Sequence, residues 1–219
     1  MMFPVQKSKI APNSLEKKTS YREKDVIEAL SHDFYNKCYI CEIKDPLVLN
    51  VEHFRPHEGV DDKKYDWNNL FFACGRCNNI KRNNFENILD CTDQQTDVLR
   101  AVKHTFPTTA YAEIVNITPM NDDPKTLETA NLISKVFNDA NTGNKDLTRV
   151  FLKKRLMRQY RKFLELIYSY DDEDTLPEEK NEISKKIKNM LRVEYEFSAF
   201  LRWSILEAPQ LHHFKEGIF

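Results

Sequence analysis

Apolar residues recur at helical spacing in two stretches toward the C-terminal end of the chain. Within each stretch they fall mostly at i, i+3, i+4 and i+7, which is one face of an α-helix. The first stripe comprises Leu147, Val150, Met157, Tyr160, Leu164 and Ile167, and the second comprises Ile183, Ile187, Met190, Leu191, Phe197 and Leu201. An acidic loop at 171–179, which holds Pro177, separates the stripes as a turn. The pattern predicts an antiparallel helical hairpin whose stripes face either the core or a partner protein.

Shorter helical and extended patterns occupy the rest of the chain. Only four glycines occur, which favours a mainly helical protein. Ser20, followed three residues later by Glu23 as a capping box, predicts a helix over 21–36. The other predicted elements are a short β-type run over 47–52, a short helix over 78–89, a strand over 112–117 ended by Pro119, and a helix over 124–138 closed near Gly143. Residues 68–73 bring the chain back to the second cysteine pair. We expect an α+β fold that is mainly α.

Charge restricts where a nucleic-acid contact could form. The chain has 219 residues and a net charge of −1, so such a contact needs local segregation of charge. One run without acidic residues consists of Arg149, Lys153, Lys154, Arg155, Arg158, Arg161 and Lys162, and a second basic group consists of Lys7, Lys9, Lys17 and Lys18. The first run is either a phosphate-binding surface or a solvated helix face.

The chain shows no targeting or membrane segment by its pattern. No apolar run approaches the roughly 18 residues of a membrane span, and the first residues contain no apolar signal region. We therefore expect a cytoplasmic protein without membrane association. In that compartment thiols stay reduced, and paired cysteines bind metals in preference to forming disulfides.

Four cysteines in two Cys-x-x-Cys pairs give the strongest chemical signal. They are Cys38 and Cys41, followed by Cys74 and Cys77. Each pair can place two thiolates on one ion, so the spacing predicts a tetrahedral zinc site. Four thiolates leave no position for water, which makes this zinc structural, and the surrounding unit should need it to fold. Cys91 has no partner at metal-binding spacing, and we expect it to be a buried or free thiol.

A Glu52-His53 pair lies between the two cysteine pairs, and Asn69 follows it. Hydrolysis of a phosphodiester needs a base to activate water, a cation to offset charge on the phosphate, and a scaffold that fixes both. Imidazole titrates near neutral pH, so His53 suits the base. Neighbours on a strand point to opposite faces, so these two side chains can converge only at a strand end or bend, which the Arg55-Pro56 step supplies.

The order Cys-x-x-Cys, Glu-His, Asn-Leu, Cys-x-x-Cys over residues 38 to about 90 resembles the HNH endonucleases of the ββα-metal fold. The resemblance implies that His53 is the general base, that Glu52 ligates a catalytic divalent metal, and that Asn69 braces the loop and orients the base. It also implies a ββα core stapled by the zinc.

One position departs from the family's pattern. The family usually has a second histidine ligand just after the last cysteine, where this chain has Asn78, which makes it an HNN variant. Asn79 is the less favoured substitute. Because an amide oxygen replaces an imidazole, the resemblance implies Mg²⁺ or Mn²⁺ at the catalytic site in preference to Zn²⁺.

Four residues near the motif are candidates for nucleic-acid contact, namely Arg55, His57, Lys81 and Arg82. Each also has an ordinary explanation. His57 would be a surface histidine, and Lys81 and Arg82 would be solvated cations. Glu52 could equally pair with Arg55 or Lys81 and bind no metal. His53 could be a structural histidine, and Asn69 could cap a turn.

The flanking sequence narrows the resemblance. A basic arm with Pro12-Asn13-Ser14-Leu15, then Glu-His-Phe-Arg-Pro and Trp-Asn-Asn-Leu, is similar to HNH nucleases of anti-phage systems, and most of all to the Septu type. In Septu and some retron systems the nuclease works beside an ABC/SMC-like ATPase. The resemblance implies DNA as substrate and this ATPase as partner. It also implies an arm over 1–20, a nuclease core over 21–92, and a mainly helical region over 93–219 that could dock the partner.

Two other functions stay open. A stand-alone restriction-type nuclease would need its own DNA-reading element, and no helix-turn-helix or similar motif is evident. A zinc module that binds nucleic acid without cutting is the non-enzymatic alternative. The intact Glu52-His53 pair favours an enzyme over that module.

Overall fold

The structure, a computed structural model, describes residues 3–82, 84–140 and 147–219. Its α-helices are α1 (Lys24–Asp33), α2 (Asp61–Lys64), α3 (Gly75–Lys81), α4 (Val98–Ala101), α5 (Pro124–Asn138), α6 (Arg149–Asp171), α7 (Pro177–Met190) and α8 (Ser198–Leu206). Short 3-10 helices cover Asn13–Lys17, Trp67–Asn69 and Pro209–Lys215. The strands are β1 (Leu49–His53), β2 (Leu70–Cys74), β3 (Val102–Thr105) and β4 (Asn116–Pro119). Within the described ranges the strands form two antiparallel pairs, β1–β2 and β3–β4. The expected α+β class, mainly α, is confirmed.

The hairpin β1–β2 leads directly into α3. Leu49 lies opposite Cys74, and His53 lies opposite Leu70. Helix α3 begins at once because the Cys74 sulfur accepts the Cys77 amide and so caps it. It ends at Lys81, since Arg82 has a φ of 37°. The predicted bounds of this helix, 78–89, were therefore wrong at both ends. The helix of the ββα unit begins three residues before the predicted start and ends eight residues before the predicted end.

The other elements before residue 140 agree with the predictions to different degrees. Helix α5 has the predicted bounds, and Asp123 caps it through the Thr126 amide. Ser20 does not cap α1, which begins at Lys24; the Ser20 hydroxyl instead accepts the Arg22 amide. The predicted strand over 112–117 is displaced to β4, and its partner β3 was not predicted. The predicted helix end near Gly143 lies outside the described residues.

Helices α6 and α7 pack against each other across a short connection, as the apolar stripes predicted. Pro177 is the first residue of α7 and not part of the turn, a position that suits its fixed φ. The buried face of α6 differs from the predicted one: Leu152, Leu156, Phe163 and Ile167 are buried, whereas Val150 is exposed. The second stripe is divided between α7 and α8, because the chain turns at 191–197 and Phe197 has a φ of 56°.

A common hydrophobic core joins the predicted regions. Its larger cluster includes Phe3 from the arm, Phe71 from β2, Phe137 from α5 and Phe200 from α8. A smaller cluster lies between α6, α7 and α8. The predicted division at residue 92 therefore does not separate two cores, and the docking role of 93–219 stays a prediction.

Buried polar contacts attach the first cysteine pair to the C-terminal helices. The Lys37 ammonium donates to Glu42 Oε2 at 2.8 Å and to the Val193 carbonyl at 2.6 Å. Ser198 donates to the same carboxylate at 2.8 Å, and the Ala199 amide donates to its other oxygen. Since Glu42 directly follows Cys41, residues at the start of α8 help to fix the loop that holds this cysteine.

Several of the basic residues have structural partners. Buried Lys153 donates to the carbonyls of Ala112 and Glu113, and Arg155 pairs with Glu196 at 2.6 Å. Partly buried Lys7 donates to the carbonyls of Trp67 and Leu70, and loss of solvent around its ammonium lowers the pKa to about 8. These three cations bind carbonyl or carboxylate groups of the protein itself. They are therefore neither free to bind phosphate nor simply exposed to solvent.

Across the part of the chain that the structure describes, every helix is too short or too polar to cross a bilayer.

Candidate active site and metal centre

His53 stands at the end of β1 beside a cleft that Glu52 also lines. The alternation of the strand sends these adjacent side chains to opposite faces, so Glu52 is buried and His53 is partly exposed. The ring of His53 lies between those of Tyr21 and His57, with centroids 4.6 Å away in both cases. These two edge-on contacts hold the imidazole at the wall of the cleft.

The hydrogen bonding of His53 leaves one ring nitrogen available. Its Nε2 lies 2.9 Å from the Lys64 carbonyl oxygen. Because a carbonyl can only accept, Nε2 carries the proton, and in the neutral ring Nδ1 is the acceptor. Burial lowers the pKa of His53 below its usual value of 6.5, although the bond to Lys64 opposes this. The imidazole is therefore neutral at pH 7 and can take a proton from water.

Asn69 braces the loop that positions His53. Its Oδ1 accepts the Arg55 amide at 2.8 Å, and its Nδ2 donates to the carbonyls of Arg55 and Lys63, each at 2.9 Å. The next carbonyl along the chain, that of Lys64, is the one that holds His53. The side chain of Asn69 thus closes the β1–β2 loop and fixes the acceptor for Nε2. This is the geometry that an orienting role for Asn69 requires.

The cleft has a volume of about 350 Å³, and its lining carries both cations and carboxylates. The polar residues of the lining are Tyr21, Arg22, Glu52, His53, His57, Glu58, Asn78 and Arg82. Among the predicted contacts, His57 and Arg82 are thus brought beside His53, and Asn78 lies on the same cleft. Arg55 is exposed but does not line it. Tyr21 and Arg22 were missed, since they precede the motif and no spacing rule connects them to it.

Glu52, which lines the cleft, forms a buried ion pair with Lys81. Lys81 Nζ lies 2.6 Å from Glu52 Oε1, and the Tyr39 hydroxyl donates to Oε2 at 2.7 Å. Nζ also donates to the carbonyls of His53 and Phe54. Burial raises the pKa of Glu52, and the contacts with Lys81 and Tyr39 oppose that shift. The ammonium thus stabilises the carboxylate and the end of β1 together.

This ion pair bears on two of the predicted roles. Lys81 is fully buried, so it does not face nucleic acid as predicted. The Glu52 carboxylate is bonded at both oxygens and already has a cation, as the alternative pairing with Lys81 describes. The roles of Glu52 and Asn78 as ligands of a divalent metal stay predictions, and a metal at Glu52 would compete with Lys81 for the carboxylate.

Replacing Lys81 with methionine should therefore lower the free energy of unfolding by about 3 to 5 kcal/mol, because it leaves the Glu52 carboxylate buried without a cation. Urea unfolding of the wild type, Lys81→Met, Glu52→Gln and the double variant measures this effect. The double variant should recover part of the loss, since neither charge then remains. Wild-type stability in Lys81→Met would mean that the carboxylate does not depend on this ammonium.

Four buried cysteines form the candidate metal centre. The sulfur atoms of Cys38, Cys41, Cys74 and Cys77 all lie within 4.8 Å of one another. A tetrahedral zinc with bonds of about 2.3 Å places its sulfurs about 3.8 Å apart. The distance between the sulfurs of Cys41 and Cys74 is 3.8 Å. The donor set and its size therefore fit a closed four-cysteine zinc site, and no other group of three His, Cys, Asp or Glu ligands occurs within the described residues.

The burial of these thiols supports a metal role. Burial raises the pKa of Cys41 and of Cys77 well above the usual value of a thiol, so thiolates need a cation here. Cys91 is a free thiol that is buried apart from the cluster, as predicted from the sequence. Burial also raises the pKa of this thiol. The cluster joins the first knuckle to the start of α3, so a bound metal would fix that helix against the hairpin.

Comparison with known families identifies the segment that holds this site. Residues 38–84 match the family model described as HNH endonuclease. The match contains all four cysteines, both strands of the hairpin, and α3. It ends before residue 85, so the helices that pack around this unit lie outside it.

A curated relative extends the comparison. The chain is 28% identical over 120 residues to the Septu protein PtuB of Bacillus mycoides (strain KBAB4). This alignment covers 48% of the present chain and 38% of the relative. The chain thus spans well under half the length of the relative that it matches.

Proposed function

We propose that this chain, which carries an HNH endonuclease domain at residues 38–84, is a metal-dependent endonuclease that hydrolyses phosphodiester bonds in DNA. The observation that carries the proposal is the state of His53. It is a neutral imidazole whose Nδ1 can accept a proton, at the wall of a cleft that Arg22 and Arg82 also line. The two guanidinium groups can attract a phosphodiester, because the carboxylates of the lining, Glu52 and Glu58, are paired with lysines. The base stands where water can be activated.

Each residue of the site has a separate role in the proposed hydrolysis. His53 takes a proton from the attacking water at Nδ1, and Asn69 keeps its ring in place through the Lys64 carbonyl. His57 and Arg82 contact the phosphate from the cleft wall. Mg²⁺ or Mn²⁺, when bound, would offset charge on the phosphate and the leaving oxygen. Asn78, which lines the cleft, is a proposed protein ligand of this metal. Glu52 would be a second ligand if its carboxylate binds the metal in place of Lys81.

The four-cysteine cluster is proposed to hold a structural Zn²⁺. Four thiolates saturate a tetrahedral ion, so this metal would take no part in hydrolysis. Its role would be to keep the hairpin and α3 in the geometry that presents His53.

We further propose that the enzyme works in the cytoplasm as the nuclease of an anti-phage complex beside an ABC/SMC-like ATPase. The similarity to a protein named Septu protein PtuB supports a defence role, and the resemblance of the flanking motifs supports the ATPase partner. The C-terminal helices are the candidate docking region, since Tyr168 on α6 and Leu176 before α7 are large exposed apolar residues. The stand-alone nuclease and the non-cutting zinc module are the alternatives.

Plasmid cleavage tests the proposal directly. Supercoiled DNA is incubated with the full chain, alone or with the ATPase encoded next to it, in Mg²⁺, in Mn²⁺ and without added divalent cation. We expect nicked or linear DNA only with the cation, and a matched RNA should be cut more slowly. Cutting only with the ATPase supports a gated effector, whereas site-specific cutting without it supports a stand-alone nuclease. No cutting in any mixture, with zinc retained, would support the zinc module.

A further inference from the structure

Two residues from outside the HNH segment form one wall of the cleft. Tyr21 and Arg22 immediately precede α1, and both line the cavity beside His53. The Ser20 hydroxyl accepts the Arg22 amide at 3.0 Å, which fixes the backbone at this point. The helix that follows is anchored in the core by buried Val26 and Leu30. The wall therefore has a rigid base.

Arg22 is a cation that has no carboxylate partner among the residues that the structure describes. Its guanidinium lies over the Tyr21 ring, 5.2 Å from the centroid, and makes no ion pair with any described residue. Exposed Lys18 and Lys24, by contrast, pair with Asp62 and Glu28. A free guanidinium on an aromatic ring is held in direction yet keeps its hydrogen-bond donors for a ligand.

The carboxylates that line the cleft do not neutralise Arg22. Glu52 is paired with Lys81, and Glu58 is paired with Lys63 at 2.9 Å. Arg22 and His53 line the same cleft, and the Tyr21 ring beneath the guanidinium also contacts the His53 ring, with centroids 4.6 Å apart. An anion that enters the cleft would therefore meet Arg22 and Nδ1 of His53 together.

We propose that Arg22 binds the two non-bridging oxygens of the phosphodiester at His53, with Tyr21 as the ring that holds both side chains. The inference rests on the proposed nuclease function and assigns it a residue that lies outside the HNH segment. Arg22 supplies a fixed positive charge on the cleft that Asn78, the candidate metal ligand, also lines. Its guanidinium can donate two parallel hydrogen bonds to phosphate, which positions the phosphorus for attack.

The test compares Arg22→Ala, Arg22→Lys and Lys24→Ala in the full chain. Lys24→Ala is the matched control, because it removes the same charge from an exposed residue two positions away that does not line the cleft. Cleavage is measured in each variant. Binding of a DNA duplex is measured as a function of NaCl in the same variants carrying His53→Ala, so that the substrate stays intact.

We expect Arg22→Ala to slow cleavage by about 10- to 100-fold and to reduce the salt slope of DNA affinity by about one. Arg22→Lys should keep the salt slope but lose part of the rate, since an ammonium cannot form the bidentate contact. Lys24→Ala should stay within about twofold of the wild type in rate.

Each outcome separates this inference from the proposed function. If the wild type cuts while Arg22→Ala matches it in rate and affinity, the inference is overturned and the function stands. Equal losses in Arg22→Ala and Lys24→Ala would also overturn it, because they would reflect general charge only. If the wild type does not cut but Arg22→Ala alone lowers DNA affinity, the phosphate contact is supported and the nuclease is not.

Discussion

Serine in place of Cys74 is expected to release the metal of the four-cysteine cluster and to unfold the segment around residues 38–84. The cluster connects the first knuckle, the end of β2 and the start of α3 through a single ion. Structural zinc contributes about 10 to 16 kcal/mol of apparent binding free energy in small zinc domains. That range is comparable with the roughly 5 to 15 kcal/mol by which whole domains are stable. With three thiolates the ion binds too weakly to offset the unfolding of its ligand loops.

The choice of serine isolates the metal contribution. The Cys74 sulfur also caps α3, but a serine oxygen is among the best N-caps, so the helix start should not suffer from the change. Zinc content by plasma mass spectrometry and thermal unfolding by circular dichroism measure the two effects together. We expect loss of the metal and a lower or absent transition in the same variant.

Cys91→Ser is the matched control for this prediction. Cys91 is as buried as the ligand cysteines but lies outside the cluster, so the same substitution there costs only the burial of a hydroxyl, about 1 to 3 kcal/mol. It should keep the zinc. Wild-type zinc content and stability in Cys74→Ser would rule out the structural metal that we propose.

Residues that are close in sequence made most of the site predictable. The cysteine pairs bring their own sulfurs together by local spacing, and the hairpin places Asn69 opposite the residues just after His53. Helix α5 was predictable because Asp123 and Pro124 mark its start within the sequence itself. In each of these cases a local rule and the tertiary structure agree.

Contacts distant in sequence account for most of the errors. Glu52 is paired with Lys81 from the end of α3, and sequence spacing alone did not choose between that ammonium and a metal. The predicted apolar stripe on α6 did not coincide with the face that is buried. Lys153 lies on the buried face, where it donates to the carbonyls of residues 112 and 113, while Val150 is exposed. Hydrophobicity alone does not identify a buried lysine whose donors are satisfied by backbone.

Tyr21 and Arg22 illustrate the same limit within the cleft. They are separated from His53 by about thirty residues and by the first cysteine pair. Only the packing of α1 against the hairpin brings them to the cleft. A motif search confined to the HNH segment therefore could not include them.

Alanine in place of His53 is expected to lower DNA cleavage by about 10²- to 10⁴-fold, the usual contribution of a general base. The side chain lies at the cleft wall, partly exposed, and its hydrogen bond is to one loop carbonyl. Removal should therefore leave the fold and the zinc in place. Single-turnover cleavage under saturating protein measures the loss, and zinc content and circular dichroism confirm that the variant is intact.

His57→Ala is the matched control, because it removes the same kind of ring 4.6 Å away on the same cleft. His57 Nδ1 accepts the Gly59 amide within its own turn, so it is not placed to receive a proton from water through that nitrogen. We expect less than about a tenfold loss, consistent with a phosphate contact only. A larger loss in His57→Ala than in His53→Ala would reverse the assignment of the base.

The pH profile gives an independent check on the same residue. A general base must be unprotonated, so the rate should fall as the pH drops through the pKa of His53 and reach a plateau above it. Burial lowers the pKa of His53 below 6.5, so the wild type should keep most of its activity at pH 7 and lose about tenfold per pH unit well below that pKa. The residual activity of His53→Ala should lack this acid limb. Since the limb belongs to the ring that takes the proton, its persistence in His53→Ala would assign the base to another group in the cleft.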